Sequence, residues 1–133
     1  MEIILIVIYR FSKKSLEKLA NVDVRLQTLA KKVLEISPID FSITCGLRTK
    51  EEQEQLVKEG KSKTIYSKHL LGKAIDILPC KEKYNKPADI FILVGLFIAK
   101  AKELNINIRV GALWDYSSTK DNNFVDSYHI ELC

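Results

Sequence analysis

The spacing of apolar residues changes several times along the chain, and each change marks an element. Over residues 23–36, Leu26, Leu29, Ala30, Val33 and Leu34 recur at three- and four-residue steps. That spacing predicts an amphipathic helix with one stripe turned to a core. Lys31, Lys32 and Glu35 fall on the other side, and Pro38 ends the segment. Residues 12–19 suit a shorter helix with Ser12 as its N-cap. Pro87 opens a longer helix over about residues 88–104. Its wide face of Ile90, Phe91, Val94, Phe97, Ile98, Ala101 and Leu104 is assigned to the core. The near-continuous apolar centre, 90–99, predicts deep burial and is too short to span a bilayer.

Between these helices the period shortens. Residues 41–45 read as a strand, and Gly46 opens a turn after it. Thr49 and Glu52 have the T-x-x-E form of a capping box, which starts a helix that Gly60 stops. Residues 74–78, 106–110 and 128–132 read as strands. Alternation places Ala74, Asp76 and Leu78 on one face of theirs, and His129 and Glu131 on one face of another. The mixture defines an α+β protein, and 133 residues suit one domain, 1–133, able to bury its own core.

The apolar run 3–9 is too short for a bilayer. Glu2 precedes it, where a signal peptide would have a basic start, and no small-residue cleavage site follows. A strand or hydrophobic plug is the favoured reading, with membrane targeting the alternative. Stable membrane insertion and a signal peptide are therefore not expected, and the protein is expected to stay cytoplasmic after synthesis.

Composition adds limits. With 47% hydrophobic and 29% charged residues the chain is ordinary for a globular protein and not globally disordered. A net charge of +4 is mild, without the dense basic stripe or aromatic platform of a nucleic-acid binder, so no nucleic-acid partner is expected. It would favour approach to an anionic polymer, of which a bacterial wall is one, or serve solubility alone. Cys45, Cys80 and Cys133 form no C-x-x-C pair and are odd in number, which argues against a disulfide framework or a cysteine metal site. Cys45, in a buried strand, is assigned as a small core residue.

Two remote stretches carry the chemistry. One contains His69 and Asp76, the other Asp126, His129 and Glu131, and together they use both histidines of the chain. Imidazole nitrogen and carboxylate oxygen are the usual ligands of zinc, and catalytic sites use three protein ligands with a position left for water. His69, Asp76 and His129 would be those three, with Asp126 free to act on the water. If the two strands are neighbours, Asp76 and His129 point into one cleft, and Gly72 lets the approach carrying His69 bend back. A hydrogen-bonded surface pair at each histidine is the competing reading, and spacing alone leaves both open.

The string S-x-H-x-x-G-x-A-x-D at Ser67, His69, Gly72, Ala74 and Asp76, followed by D-x-x-H-x-E at Asp126, His129 and Glu131, resembles zinc peptidases of the VanY and D-alanyl-D-alanine carboxypeptidase type. Within them it is most similar to phage endolysins that act as L-alanyl-D-glutamate peptidases. Tyr9, Pro38, Gly46, Arg48, Gln53, Gly60, Ser62, Thr64 and Trp114 extend the likeness, while the first eight residues lie outside it. The resemblance implies a hedgehog/D-Ala-D-Ala peptidase-like fold, with a small antiparallel sheet packed against helices and a zinc cleft. It implies a monomeric zinc metallopeptidase that cuts the stem peptide of peptidoglycan at the L-alanyl-D-glutamate bond after release to the wall. D-alanyl-D-alanine carboxypeptidase or dipeptidase action is the alternative, and a silent wall-binding module is another. By the same resemblance Zn2+ is held by His69, Asp76 and His129, and Asp126 is the general base. Arg48 contacts substrate and oxyanion, and Ser62, Thr64 and Trp114 contact substrate. Glu131 is cast as the partner that orients a histidine, although Asp126 and Glu131 could exchange roles. Ala112 and Leu113, just before Trp114, stand where the family has a glycine and an acid. Surface salt bridging by Arg48, and loop stabilisation by Ser62 and Thr64, are the competing readings.

Overall fold

Each early helix begins where a side chain takes over an unpaired backbone N–H. Ser12 accepts from the amide of Ser15 and starts α1, Lys13–Leu19. Asp23 accepts from the amide of Arg25 and starts α2, Val24–Ile36. Strand β1, Phe41–Cys45, follows. The full reciprocal capping box of Thr49 and Glu52 then starts α3, Lys50–Lys58. These descriptions come from a computed structural model that describes residues 7–80, 82–111 and 128–133.

A 3-10 turn, Lys68–Leu71, precedes β2, Ala74–Pro79. Gly72 closes that turn at φ 66°, a left-handed conformation that glycine adopts without strain. Helix α4 spans Pro87–Glu103, and the short strands β3, Ile108–Val110, and β4, His129–Leu132, complete the order. The strands form one antiparallel sheet in the order β1-β2-β4-β3. The small α+β architecture with an antiparallel sheet against helices thus stands as expected.

One face of the sheet is apolar. Ile43, Ile75, Ile77, Ile130 and Leu132 are buried with Leu26, Leu29 and Val33 of α2 and Leu93, Val94 and Phe97 of α4 in one cluster. Fully burying a side chain of this size contributes about 1.5–3 kcal/mol relative to leaving it in water. Helix α1 is tied to the sheet by a buried polar bond, Ile43 N–H to Ser15 Oγ at 3.0 Å. The register pairs Ala74 with Glu131, Ile75 with Ile130 and Asp76 with His129. The same alternation that buries the isoleucines therefore sends Asp76, His129 and Glu131 to the opposite face.

Two expectations need correction. Helix α4 is not buried all round: Phe91 and Ile92 are 47% and 45% exposed, while Leu93, left out of the assigned face, is fully buried. A continuous apolar run hides the helical period, so sequence cannot say which residues of it face out. The strand expected from residue 106 begins only at Ile108, because the chain is still leaving α4. Asn105 adopts φ 56°, and the Ile106 amide donates back to Ala101 O at 2.8 Å.

Candidate active site

The polar face of β2 and β4 forms the floor of a cleft of about 400 Å³, lined among others by Arg48, Ser62, Thr64, His69, Asp76, His129 and Glu131. Both histidines reach the same oxygen. His69 Nε2 lies 3.2 Å from Asp76 Oδ1, and His129 Nδ1 lies 3.1 Å from it. The imidazoles meet edge to face with centroids 5.0 Å apart.

The far nitrogen of each ring is also engaged. His69 Nδ1 is 2.8 Å from the Gly46 carbonyl oxygen. That oxygen can only accept, so Nδ1 carries the proton. His129 Nε2 is 2.9 Å from Glu131 Oε1. An ionised Glu131 likewise only accepts, which puts the proton on Nε2. In the neutral tautomers so defined, the lone pairs of His69 Nε2 and His129 Nδ1 both face Asp76. Fixing a ring through a carbonyl or carboxylate on its far nitrogen is the usual support of metal-binding histidines. Lys68 holds Glu131 in turn, with Nζ 3.6 Å from Oε2, and also donates to the Leu132 carbonyl.

Gly46 earns its place through packing. A Cβ there would lie 2.2 Å from the carbonyl oxygen of Lys18, so only glycine lets the end of β1 pass so near the end of α1. That passage delivers the carbonyl that anchors His69. It follows a bulge in the β1–β2 pairing between Ile43 and Cys45.

Cys45 departs from expectation. It is half-buried rather than a core residue, with Sγ 3.6 Å from His69 Nδ1 and 3.3 Å from an Arg48 nitrogen. Cys45, His69 and Asp76 are close enough to form a possible metal site. Cys45 nonetheless approaches His69 from the nitrogen already paired with Gly46, while His129 approaches the Asp76 oxygen that His69 Nε2 faces.

Arg48 is largely buried, its side chain 14% exposed, and is not a surface salt bridge. Its NH1 donates to Gln53 Oε1 at 2.7 Å, and its NH2 lies 3.7 Å from Asp76 Oδ2. Ser62 and Thr64 line the cleft, yet their groups also brace the loop: Ser62 Oγ accepts from Gln53, and Thr64 Oγ1 accepts from the Tyr66 amide. Asp126 and Trp114 lie outside the described residues.

Burial opposes charge on His69. Hydrogen bonds to Asp76 and Cys45, with the Asp76 charge, overcome it and raise the imidazole to about 10. Burial also opposes ionisation of Asp76, but bonds to His129 and His69 win and hold its carboxyl far below the usual carboxylate range. Without a metal, the site therefore holds a proton between His69 and Asp76.

Two imidazoles and a carboxylate on the polar face of an antiparallel sheet, beside a largely buried arginine, define the class: a small α+β hydrolase-type cleft. The family model for phage L-alanyl-D-glutamate peptidases matches residues 7–133. The chain belongs to that family. It is 35% identical to the L-alanyl-D-glutamate peptidase of Escherichia phage T5 over 134 residues, covering 93% of this chain and 98% of that protein. Its fold is similar to the crystal structure of the Serratia marcescens L-Ala D-Glu endopeptidase ChiX, with a TM-score of 0.81 and 26% identity, over 95% of this chain and 91% of the other. Among the described residues no helix is long and apolar enough to cross a membrane.

Sequence reasoning assigned no role to Gln53 or Lys68 and misassigned Cys45. The signal for Gln53 was its place one turn into a capped helix. Lys68 acts on a carbonyl 64 residues away, which no local pattern reveals.

Proposed function

We propose that this protein is a zinc-dependent endolysin-type peptidase that cleaves the L-alanyl-D-glutamate bond in the stem peptide of peptidoglycan. Membership of the family and the names of its relatives support the bond. The observation that carries the chemistry is the convergence of His69 Nε2 and His129 Nδ1 on one oxygen of Asp76, each ring pinned from behind.

The donor set fits zinc, since two neutral imidazoles and a carboxylate leave a fourth position for water. His69, Asp76 and His129 would hold the ion. It would lower the pKa of its water from about 15.7 toward about 7 and polarise the scissile carbonyl. The chain's own groups do the rest. Asp126, three residues before His129 in sequence, takes the proton from the attacking water and returns it to the departing amine of D-glutamate. Arg48, held at NH1 by Gln53, donates to the oxyanion that develops on the alanyl carbonyl. One well-placed donor of this kind is worth about 3–4 kcal/mol. Glu131 accepts from His129 Nε2 and so keeps Nδ1 free of a proton, the tautomer that would serve a metal. Ser62, Thr64 and Trp114 are the proposed substrate contacts. In this reading the enzyme stays in the cytoplasm until it is released to the wall.

The test is digestion of purified peptidoglycan with zinc-loaded protein, followed by mass spectrometry and metal analysis. Fragments with a new amino-terminal D-glutamate, and one zinc per chain, are expected. Release of D-alanine alone would replace the endopeptidase reading with carboxypeptidase action. Wall binding without any soluble fragment would reduce the protein to a binding module.

A further inference from the structure

Gln53 is wholly buried, 0% exposed, in a helix that buries no other residue. Its amide is used from both ends. Oε1 accepts from Arg48 NH1 at 2.7 Å, while Nε2 donates to Ser62 Oγ at 2.9 Å and to the Thr64 carbonyl at 2.6 Å. Few side chains can replace it. A carboxylate would accept from Arg48 but offer nothing to the Thr64 carbonyl, and an apolar residue would do neither. Its position is set from outside the cleft: Thr49 and Glu52 cap α3 reciprocally, and the Gln53 amide N–H donates to the Thr49 carbonyl at 3.1 Å in that first turn.

We propose that Gln53 is a positioning residue that locks the Arg48 guanidinium to the Ser62–Thr64 wall of the cleft, so that substrate seating and oxyanion donation are set by one side chain. The proposal rests on the role given to Arg48 above. Arginine carries a large rotamer entropy, and a donor contributes to a transition state only if it is already aimed. Gln53 fixes one nitrogen of the fork, and NH2 is left directed toward Asp76 and Cys45. The same amide holds the loop that closes the other side of the cleft. A substrate that displaces the loop would therefore pull on Arg48 through two hydrogen bonds.

The test measures kcat, KM, zinc content and Tm for the wild type, Gln53→Met, Gln53→Glu, Arg48→Ala and the double variant Arg48→Ala/Gln53→Met on a soluble muropeptide. The bond cut by the wild type is identified first by mass spectrometry, so an error in the substrate reading shows there and leaves the comparison intact. Gln53→Met is expected to keep its zinc and lower kcat by about 10- to 100-fold, within the range of one lost oxyanion donor. In the Arg48→Ala background the same change should cost less than about 3-fold in kcat, because residues acting as a unit are not additive. Gln53→Glu keeps the Arg48 contact and loses the loop, so its KM should rise more than its kcat falls. Fully additive losses in kcat, or a Gln53→Met enzyme with wild-type constants, would overturn the proposal. Should Gln53→Met fail to fold, Gln53→Glu decides: a raised KM with zinc retained supports the coupling, and a wild-type KM refutes it.

Discussion

In the proposed reading, metal loading and protonation compete for one place in this protein, and the competition has a size. In the metal-free site His69 is raised from 6.5 to about 10, against its burial, by Asp76 and Cys45. A group raised on folding contributes stability that is whole below its unfolded value and lost as pH climbs through its folded value. For His69 that window runs from 6.5 to about 10. Asp76 is lowered, so its contribution is whole above its ordinary 3.8 and is lost only in strong acid. Chelator-stripped protein should therefore be most stable between about pH 4 and 6.5, and should lose on the order of 4 kcal/mol from His69 by pH 10. The metal behaves in the opposite sense. Binding must expel the His69 proton, so affinity should rise about tenfold per pH unit between pH 7 and 9. Zinc titration calorimetry at pH 7, in two buffers of different ionisation heat, should report at least one proton released per ion. Urea unfolding of stripped protein at pH 6 and 9 checks the other arm, with His69→Ala as the control that should bind zinc poorly and flatten the slope. Heats independent of buffer, or a stripped protein that gains stability from pH 6.5 to 9, would refute the linkage.

Glu131→Gln should weaken zinc by about 10- to 100-fold, measured by competition with a chromophoric chelator, because the charge that fixes the His129 tautomer is gone. Gly46→Ala should destabilise the fold by about 1–3 kcal/mol in urea unfolding, since the new Cβ meets the Lys18 carbonyl at 2.2 Å. Zinc affinity should fall with it, because the carbonyl behind His69 must move. Asp126→Asn should keep one zinc per chain and lose most of its turnover; an unchanged rate would remove Asp126 as the base.

The fold was legible where one residue type had one physical use. Ser12 and Thr49 begin helices because short oxygen-bearing side chains satisfy the first amides, and both were readable in place, whereas Asp23, read as the first residue of α2, proved to be its cap. The facing of Asp76 and His129 was also readable, because a strand alternates strictly and the isoleucines around both had to be buried. Legibility failed where a residue's role depends on the far side of the chain. Nothing near Cys45 in sequence indicates that the bulge before it leaves its sulfur between His69 and Arg48, so its strand position pointed to the core. Phe91 failed for the opposite reason, since a run of apolar residues carries no phase. Gln53 combines both cases. The capping box fixed its place on α3, but its partners come from residues 48, 62 and 64, so its importance rests on where the loop after α3 returns. The facing of His69, Asp76 and His129 is therefore written in local pattern, whereas the side chains that aim them are written in topology. That is why the supporting residues, rather than the histidines and Asp76 themselves, are where the structure adds most to the sequence.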